Sequence, residues 1–258
     1  MKRLVVVLVA ALLGLSAPPA VAGVVADPVS ALKAQFAKNR GVTVVERATD
    51  IDQKIVIARA KIIVQFGGSG PIASARTIMT LNHDEPKYMR DIYVEGRVYI
   101  QGTIFNELPL ELPAGKQWFL GYGKSRPAVG FQQMVNVLEP ATLGVLLKSA
   151  PAKGRDGTET LYTGTISIAK LHEVSPSLRE LFGVLGGGPD LPEPFAKATL
   201  NWRLWVDGKG LVRRLVTWEK GSLISRGVRF DTRFADWRSG VVVKAPPADE
   251  VAKADELE

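Results

Sequence analysis

From Val56 to Phe66 every second residue is apolar, so Val56, Ala58, Ala60, Ile62, Val64 and Phe66 share one side of an extended chain. Such alternation reads as a strand with one face turned to a core. Ala75, Met79 and Leu81 repeat the pattern in the next segment, and Trp202, Leu204 and Val206 do so later, against Asn201 and Arg203 on the other side. Strands are expected over residues 42–49, 54–66, 73–82, 88–95 and 97–105, with a short one from Trp118 to Tyr122. Others are expected over 159–170, 196–206, 210–219, 226–235 and 240–244. Glu95-Gly96 and Asp207-Gly208-Lys209-Gly210 read as hairpin turns. Gly67-Gly68-Ser69-Gly70-Pro71 reads as a further turn and Lys153–Gly157 as a loop.

Helical signals are few. Asp27-Pro28 opens a helix to about Lys38, with Val29, Leu32 and Phe36 on one face. Residues 129–149 form a helical section whose apolar face is Phe131, Met134, Val135 and Leu138, interrupted by Pro140 and resumed by Leu143, Leu146 and Leu147. A short helix at 176–185, capped by Ser175-Pro176, carries Leu181 and Phe182. Gly186-Gly187-Gly188 stops it, or serves as the hinge of a lid. Sequential strands joined by short turns give an α+β class with an antiparallel sheet of about ten strands, one face covered by the helices. So few helical stripes over so many apolar strand faces leave room for an apolar groove.

Its walls would come from inner strand positions: Val56, Ile62, Val64, Met79, Leu81, Ile166, Ile168, Trp202 and Leu204. The helices would add Phe131, Met134, Leu138, Leu146, Leu181 and Phe182.

The first residues bear on location. Lys2 and Arg3 precede an apolar run from Leu4 to Leu15, broken by Pro18-Pro19 and followed by Ala20-Val21-Ala22 before Gly23. Charge, apolar run, breaker and small residues in that order make a cleavable export signal over 1–22, leaving one domain from 23 to 258. The run is shorter than the roughly 20 residues a spanning helix needs. The chain has no cysteine, which removes disulfides, thiol catalysis and thiolate metal sites. Without residues 1–22 the net charge is (33 − 2) − 26 = +5, with Arg203, Arg213, Arg214, Lys220, Arg226, Arg229, Arg233 and Arg238 crowded into the last third. Such a strip either meets an anionic membrane surface or is a solvated sheet face. Nucleic acid is not an expected partner, because an exported chain of this kind shows no aromatic-and-basic recognition motif.

No catalytic constellation emerges. Ser30-Ala31-Leu32-Lys33 has the Ser-x-x-Lys spacing of penicillin-interacting enzymes but lacks their companion elements, and an exposed pair on an amphipathic helix explains it better. His83-Asp84-Glu85 fits a solvated turn better than a metal site, since adjacent residues rarely converge on one ion. His172-Glu173 belongs to the cap region of the following helix. Tyr88, Tyr93 and Tyr99 either line a pocket or are ordinary strand residues. No enzymatic activity, metal or cofactor is expected.

Four stretches carry a family resemblance. Leu200–Arg214 is similar to a Trp-Val-Asp-x-x-Gly-Leu-x-Arg hairpin, and Phe230–Val251 to a terminal strand pair followed by Pro-Pro and a short acidic end. Val137–Leu143 resembles a Leu-Asp-Pro-x-x-Leu-Leu helix, and Thr160–Lys170 a Tyr-x-Gly-Thr-Ile-Asp strand. Taken in their order along the chain they resemble the LolA-like superfamily, in particular the actinobacterial LppX/LprG group of lipid-carrying lipoproteins. The resemblance implies a strongly bent antiparallel half-barrel with helices on its concave side, enclosing the acyl chains of a lipid or a lipidated protein. It implies a monomeric, non-enzymatic, extracytoplasmic carrier. Those lipoproteins have a lipobox cysteine and this chain has none, so a lipid anchor is not expected. LolA-like domains also occur in envelope sensors that act on a regulatory partner, and this is the alternative role.

Overall fold

The computed structural model describes residues 26–67, 70–81, 87–102, 112–121, 133–186, 190–219 and 227–253. The expected export signal over 1–22, Phe131, His83 and most of the glycine run at 186–188 lie outside them, as do Lys220 and Arg226.

The chain is mostly β. A first helix, α1 (Pro28–Lys33), precedes five meandering strands: β1 (Arg40–Asp50), β2 (Val56–Gly67), β3 (Gly70–Leu81), β4 (Lys87–Val94) and β5 (Arg97–Gly102). After β6 (Trp118–Leu120) come α2 (Pro140–Lys148), β7 (Ala152–Asp156) and β8 (Glu159–Ser167). Three short helices follow, α3 (Ile168–Val174), α4 (Pro176–Gly186) and α5 (Glu193–Ala196). The chain closes with β9 (Thr199–Val206), β10 (Val212–Glu219), β11 (Val228–Ser239) and β12 (Val251–Ala252). All twelve strands form one sheet in the order β12-β6-β5-β4-β3-β2-β1-β11-β10-β9-β8-β7. The described pairings are antiparallel except that of β12 with β6.

The sheet is open, ending at β12 and β7, and is neither closed nor strongly curled. The strongly bent half-barrel implied by the resemblance is therefore not its form.

Local chemistry sets the boundaries. Glu95 and Gly96 both have positive φ, 52° and 76°, as a two-residue hairpin between right-twisted strands requires. Asp207 builds the later turn, its Oδ1 accepting the backbone N–H groups of Lys209 and Leu211 at 2.9 Å each. Pro140 starts α2 instead of interrupting a longer helix. It lacks the N–H that an interior position must donate, and Glu139 before it is extended at φ −90°, ψ 118°. The expected helix over 129–149 is therefore confined, among the described residues, to Pro140–Lys148. Ser167 ends β8 early: its hydroxyl accepts the N–H of Lys170 at 3.2 Å and caps α3, so 168–170 are helical where a strand was expected. The expected loop at 153–157 is mostly strand, turning at Gly157. The expected strand at 240–244 is an irregular segment with no ladder of its own, entered through Gly240 at φ 76°.

Period-two alternation gives the sheet an inner and an outer face. The inner face presents Val42 and Val44 from β1, Ala60, Ile62, Val64 and Phe66 from β2, and Trp202, Leu204 and Val206 from β9. Leu32 of α1, Leu143 and Leu146 of α2, Leu171 of α3 and Leu178 of α4 pack onto it in one cluster, so the helices cover that face. Trp202 is fully buried because Gly164 opposite it has no side chain; a Cβ there would stand 2.7 Å from the indole. On the outer face the C-terminal segment is a strap. Val241 donates its N–H to Asn39, Val243 donates to Gln65 Oε1 at 2.7 Å and packs with Ile92 and Tyr99, and β12 then joins β6.

Candidate functional site

The expected groove-lining residues converge. Ile62, Val64, Met79, Leu138, Leu146, Ile166, Ile168, Phe182, Trp202 and Leu204 belong to the single cluster between sheet and helices, with Leu81, Met134 and Leu181 packed at its margin. Val56 is half-buried at the start of β2, outside that cluster. Ile168 is the first residue of α3 and not a strand position. In the region under α2–α4 these side chains fill the layer: Leu138, Leu146, Ile168, Trp202 and Leu204 have no exposure. They act there as core.

Residues 133–139 are threaded through this layer and tied by polar groups. Gln133 Oε1 accepts the Thr217 hydroxyl at 2.8 Å, and its Nε2 donates to Thr232, whose hydroxyl donates to Glu46 Oε2 at 2.9 Å. Asn136 donates to the Ser177 hydroxyl and accepts the N–H of Leu138. The buried Glu139 accepts from the hydroxyls of Thr142 and Ser175 at 2.9 and 2.6 Å and from the N–H of Ser177 at 2.9 Å. One carboxylate thereby fastens the start of α2 to the start of α4, satisfying groups that burial would otherwise leave unpaired. A helical reading of 129–149 concealed this, although Gln and Asn among valines are a visible signal of polar anchoring.

A surface cleft lies at the β8 edge. Pairing of β7 with β8 stops at Ala152–Thr163, and beyond it a cleft of about 540 Å³ lies between α2 and the last residues of β8. Val145 and Ile166 give it apolar walls, Ser149, Thr165 and Ser167 line it with hydroxyls, and Lys148 and Lys170 stand at its rim. Lys170 also pairs with Glu173 at 2.7 Å. Of the expected lining residues, Ile166 borders this cleft.

Further along the inner face, Asp91 of β4 stands opposite Thr77 of β3, beside the Met79–Met89 pair. Burial pushes its carboxyl up to about 6, opposed by a hydrogen bond from Thr77. On the outer face Asp231 behaves in the opposite way. Burial would raise it, but the two-pronged contact from Arg214, with Arg233 and Arg229 beyond, holds it below the usual carboxylate range. Arg214 lies over the Trp205 ring at 4.8 Å, and that indole donates to Asp156 at 2.8 Å.

Ser30 and Lys33 are both exposed on α1. Ser30 gives its backbone N–H to Asp27 Oδ2 at 2.8 Å, and hydrogen bonding with Ser30 lowers the pKa of that carboxyl. Tyr93 and Tyr99 are buried on opposite faces of the sheet and Tyr88 is exposed, so the three tyrosines do not share a pocket. No group of His, Asp or Glu side chains among the described residues is placed to hold a metal ion. No helix among them is long and apolar enough to cross a membrane.

No protein-family model and no curated protein matches the chain. Among solved structures it is similar to a DUF1329 family protein from Desulfovibrio piger, at 10% identity and a TM-score of 0.28, over 84% of this chain and 95% of that one.

Proposed function

We propose that the chain is an exported, non-enzymatic, monomeric lipid-binding or lipid-transfer protein of LolA-like kind, holding acyl chains of a lipid or lipidated protein between sheet and helices. The observation that carries the reading is the cleft at the β8 edge. It is an open cleft of about 540 Å³ between α2 and the end of β8, with Val145 and Ile166 as its apolar walls and lysines at its rim. Each CH₂ buried against Val145 and Ile166 contributes about 0.8 kcal/mol, and an acidic headgroup would be met by Lys148 and Lys170.

A titration with a fluorescent fatty acid tests this. Saturable binding is expected, abolished by Val145→Glu, which places a charge on a half-buried cleft wall, and weakened by Lys148→Glu. Binding that ignores both changes would refute the site. A second reading, an envelope sensor or interaction module, is favoured by the filled core under α2–α4, which needs no cargo to be stable. It predicts no fatty-acid uptake and recovery of one stoichiometric partner.

A further inference from the structure

The outer face is built against its own stability. Arg47 of β1 stands directly opposite Arg59 of β2, and Lys61 is two residues along. Arg214 and Arg233 face each other across β10 and β11. Like charges in register on neighbouring strands are destabilising. Asp231 relieves the second pair by pairing with both arginines, and it also stands opposite Arg47 across β1 and β11. Arg47, Arg59, Lys61 and Arg76 are exposed and have no ion pair among the described residues.

Apolar side chains are set among these cations. One cross-strand row runs Val45, Lys61, Ile78, Arg90, in which Val45 and Ile78 are each 42% exposed. The neighbouring row runs Arg47, Arg59, Thr80, Tyr88, and Tyr88 is exposed too. At the β10–β11 end, Arg203 lies over the Trp218 ring at 5.5 Å. With Arg229 and the exposed Ile51 these two line a shallow hollow of about 240 Å³. The strap covers the Ile63, Ile92 and Tyr99 region and leaves these rows uncovered.

We infer that this open face docks on a bilayer containing anionic lipid. The rows lie on the adjacent strands β1–β4 of a sheet that is not strongly curled, so their cations stand side by side on one surface. Each basic side chain near such a surface adds attraction, while Val45, Ile78, Tyr88 and Trp218 supply the apolar and interfacial contact that charge alone lacks. A nucleic acid would use the cations but would gain nothing from exposed valine and isoleucine, so the mixture favours the bilayer. The inference rests on this face and is independent of the cleft.

Flotation of the full chain with vesicles of phosphatidylcholine, with and without phosphatidylglycerol, tests it. The apolar N-terminal run is the same in every variant, so differences between variants report the sheet face. Binding is expected with phosphatidylglycerol, falling as salt is raised, and reduced roughly tenfold or more by Arg59→Glu with Lys61→Glu. Ile78→Ser should weaken binding several-fold while leaving its salt dependence unchanged. All three positions are exposed or near-exposed strand sites, and circular dichroism of each variant reports whether the fold is kept. Equal binding by all variants, indifference to phosphatidylglycerol, or binding to DNA that outcompetes the vesicles would each overturn the inference.

Discussion

The two faces of the sheet hold the same kinds of side chain to opposite ends. Trp202 on the inner face is fully buried against Gly164 and the helices, while Trp218 on the outer face lies half-buried beneath Arg203. Asp91 on the inner face is pushed up to about 6 by burial, whereas Asp231 on the outer face is held down by Arg214. One sheet thus separates an apolar layer, where charge is penalised, from a cationic surface, where negative charge is welcomed. A protein that moves an amphiphile would use both.

The sharpest way to break the comparison is through the tryptophans. Trp202→Ala should cost about 3–5 kcal/mol in chemical denaturation, because the indole fills the layer. Trp218→Ala should cost about 1 kcal/mol or less. Equal losses would show that the outer face is also core.

The carboxylates give opposite pH limbs. Asp91 binds its proton more tightly folded than unfolded, so its effect on stability declines as pH rises from about 4 to 6. Above that window the charged form costs at most about 3 kcal/mol, and Asp91→Asn should recover most of it at neutral pH while flattening that limb. Asp231 has the reverse sign. Its stabilisation is present above the ordinary Asp value of 3.8 and is lost as pH falls through its lowered folded value. Arg214→Ala should destabilise by about 1–3 kcal/mol at neutral pH, with a smaller deficit once Asp231 is protonated. Urea melts of the three proteins from acid to neutral pH measure both limbs.

The smallest effect is the most diagnostic of the outer face. Arg59→Thr removes a like-charge opposition with Arg47 and should leave stability unchanged or raise it by up to about 1 kcal/mol. A clear loss in thermal melts would mean that Arg59 has a structural role.

The strands were legible because alternation is local. Val56–Phe66 states which side is buried, and Glu95-Gly96 and Asp207–Gly210 state where the chain turns. The ends of elements depended on single groups that pattern reading passed over: the missing N–H of Pro140 and the capping hydroxyl of Ser167. The polar ties of Gln133, Asn136 and Glu139 join residues as far as 99 positions apart, and nothing local announces such partners. Ile62, Leu138 and Trp202 do share one buried cluster, but apolar spacing alone cannot distinguish a filled layer from an open one. The cleft depends on where β7 stops pairing, a tertiary fact. The basic crowding was visible in the C-terminal third, yet alternation on β1, β2 and β3 carries it across the sheet through Arg47, Arg59, Lys61 and Arg76.

The most direct test of the central claim, that the cleft at the β8 edge takes an acyl chain, is native mass spectrometry of the protein purified from its native cells, followed by organic extraction. The account predicts an acyl lipid at about one per chain, or its uptake when offered. A protein that emerges empty and remains empty with added lipid would contradict it.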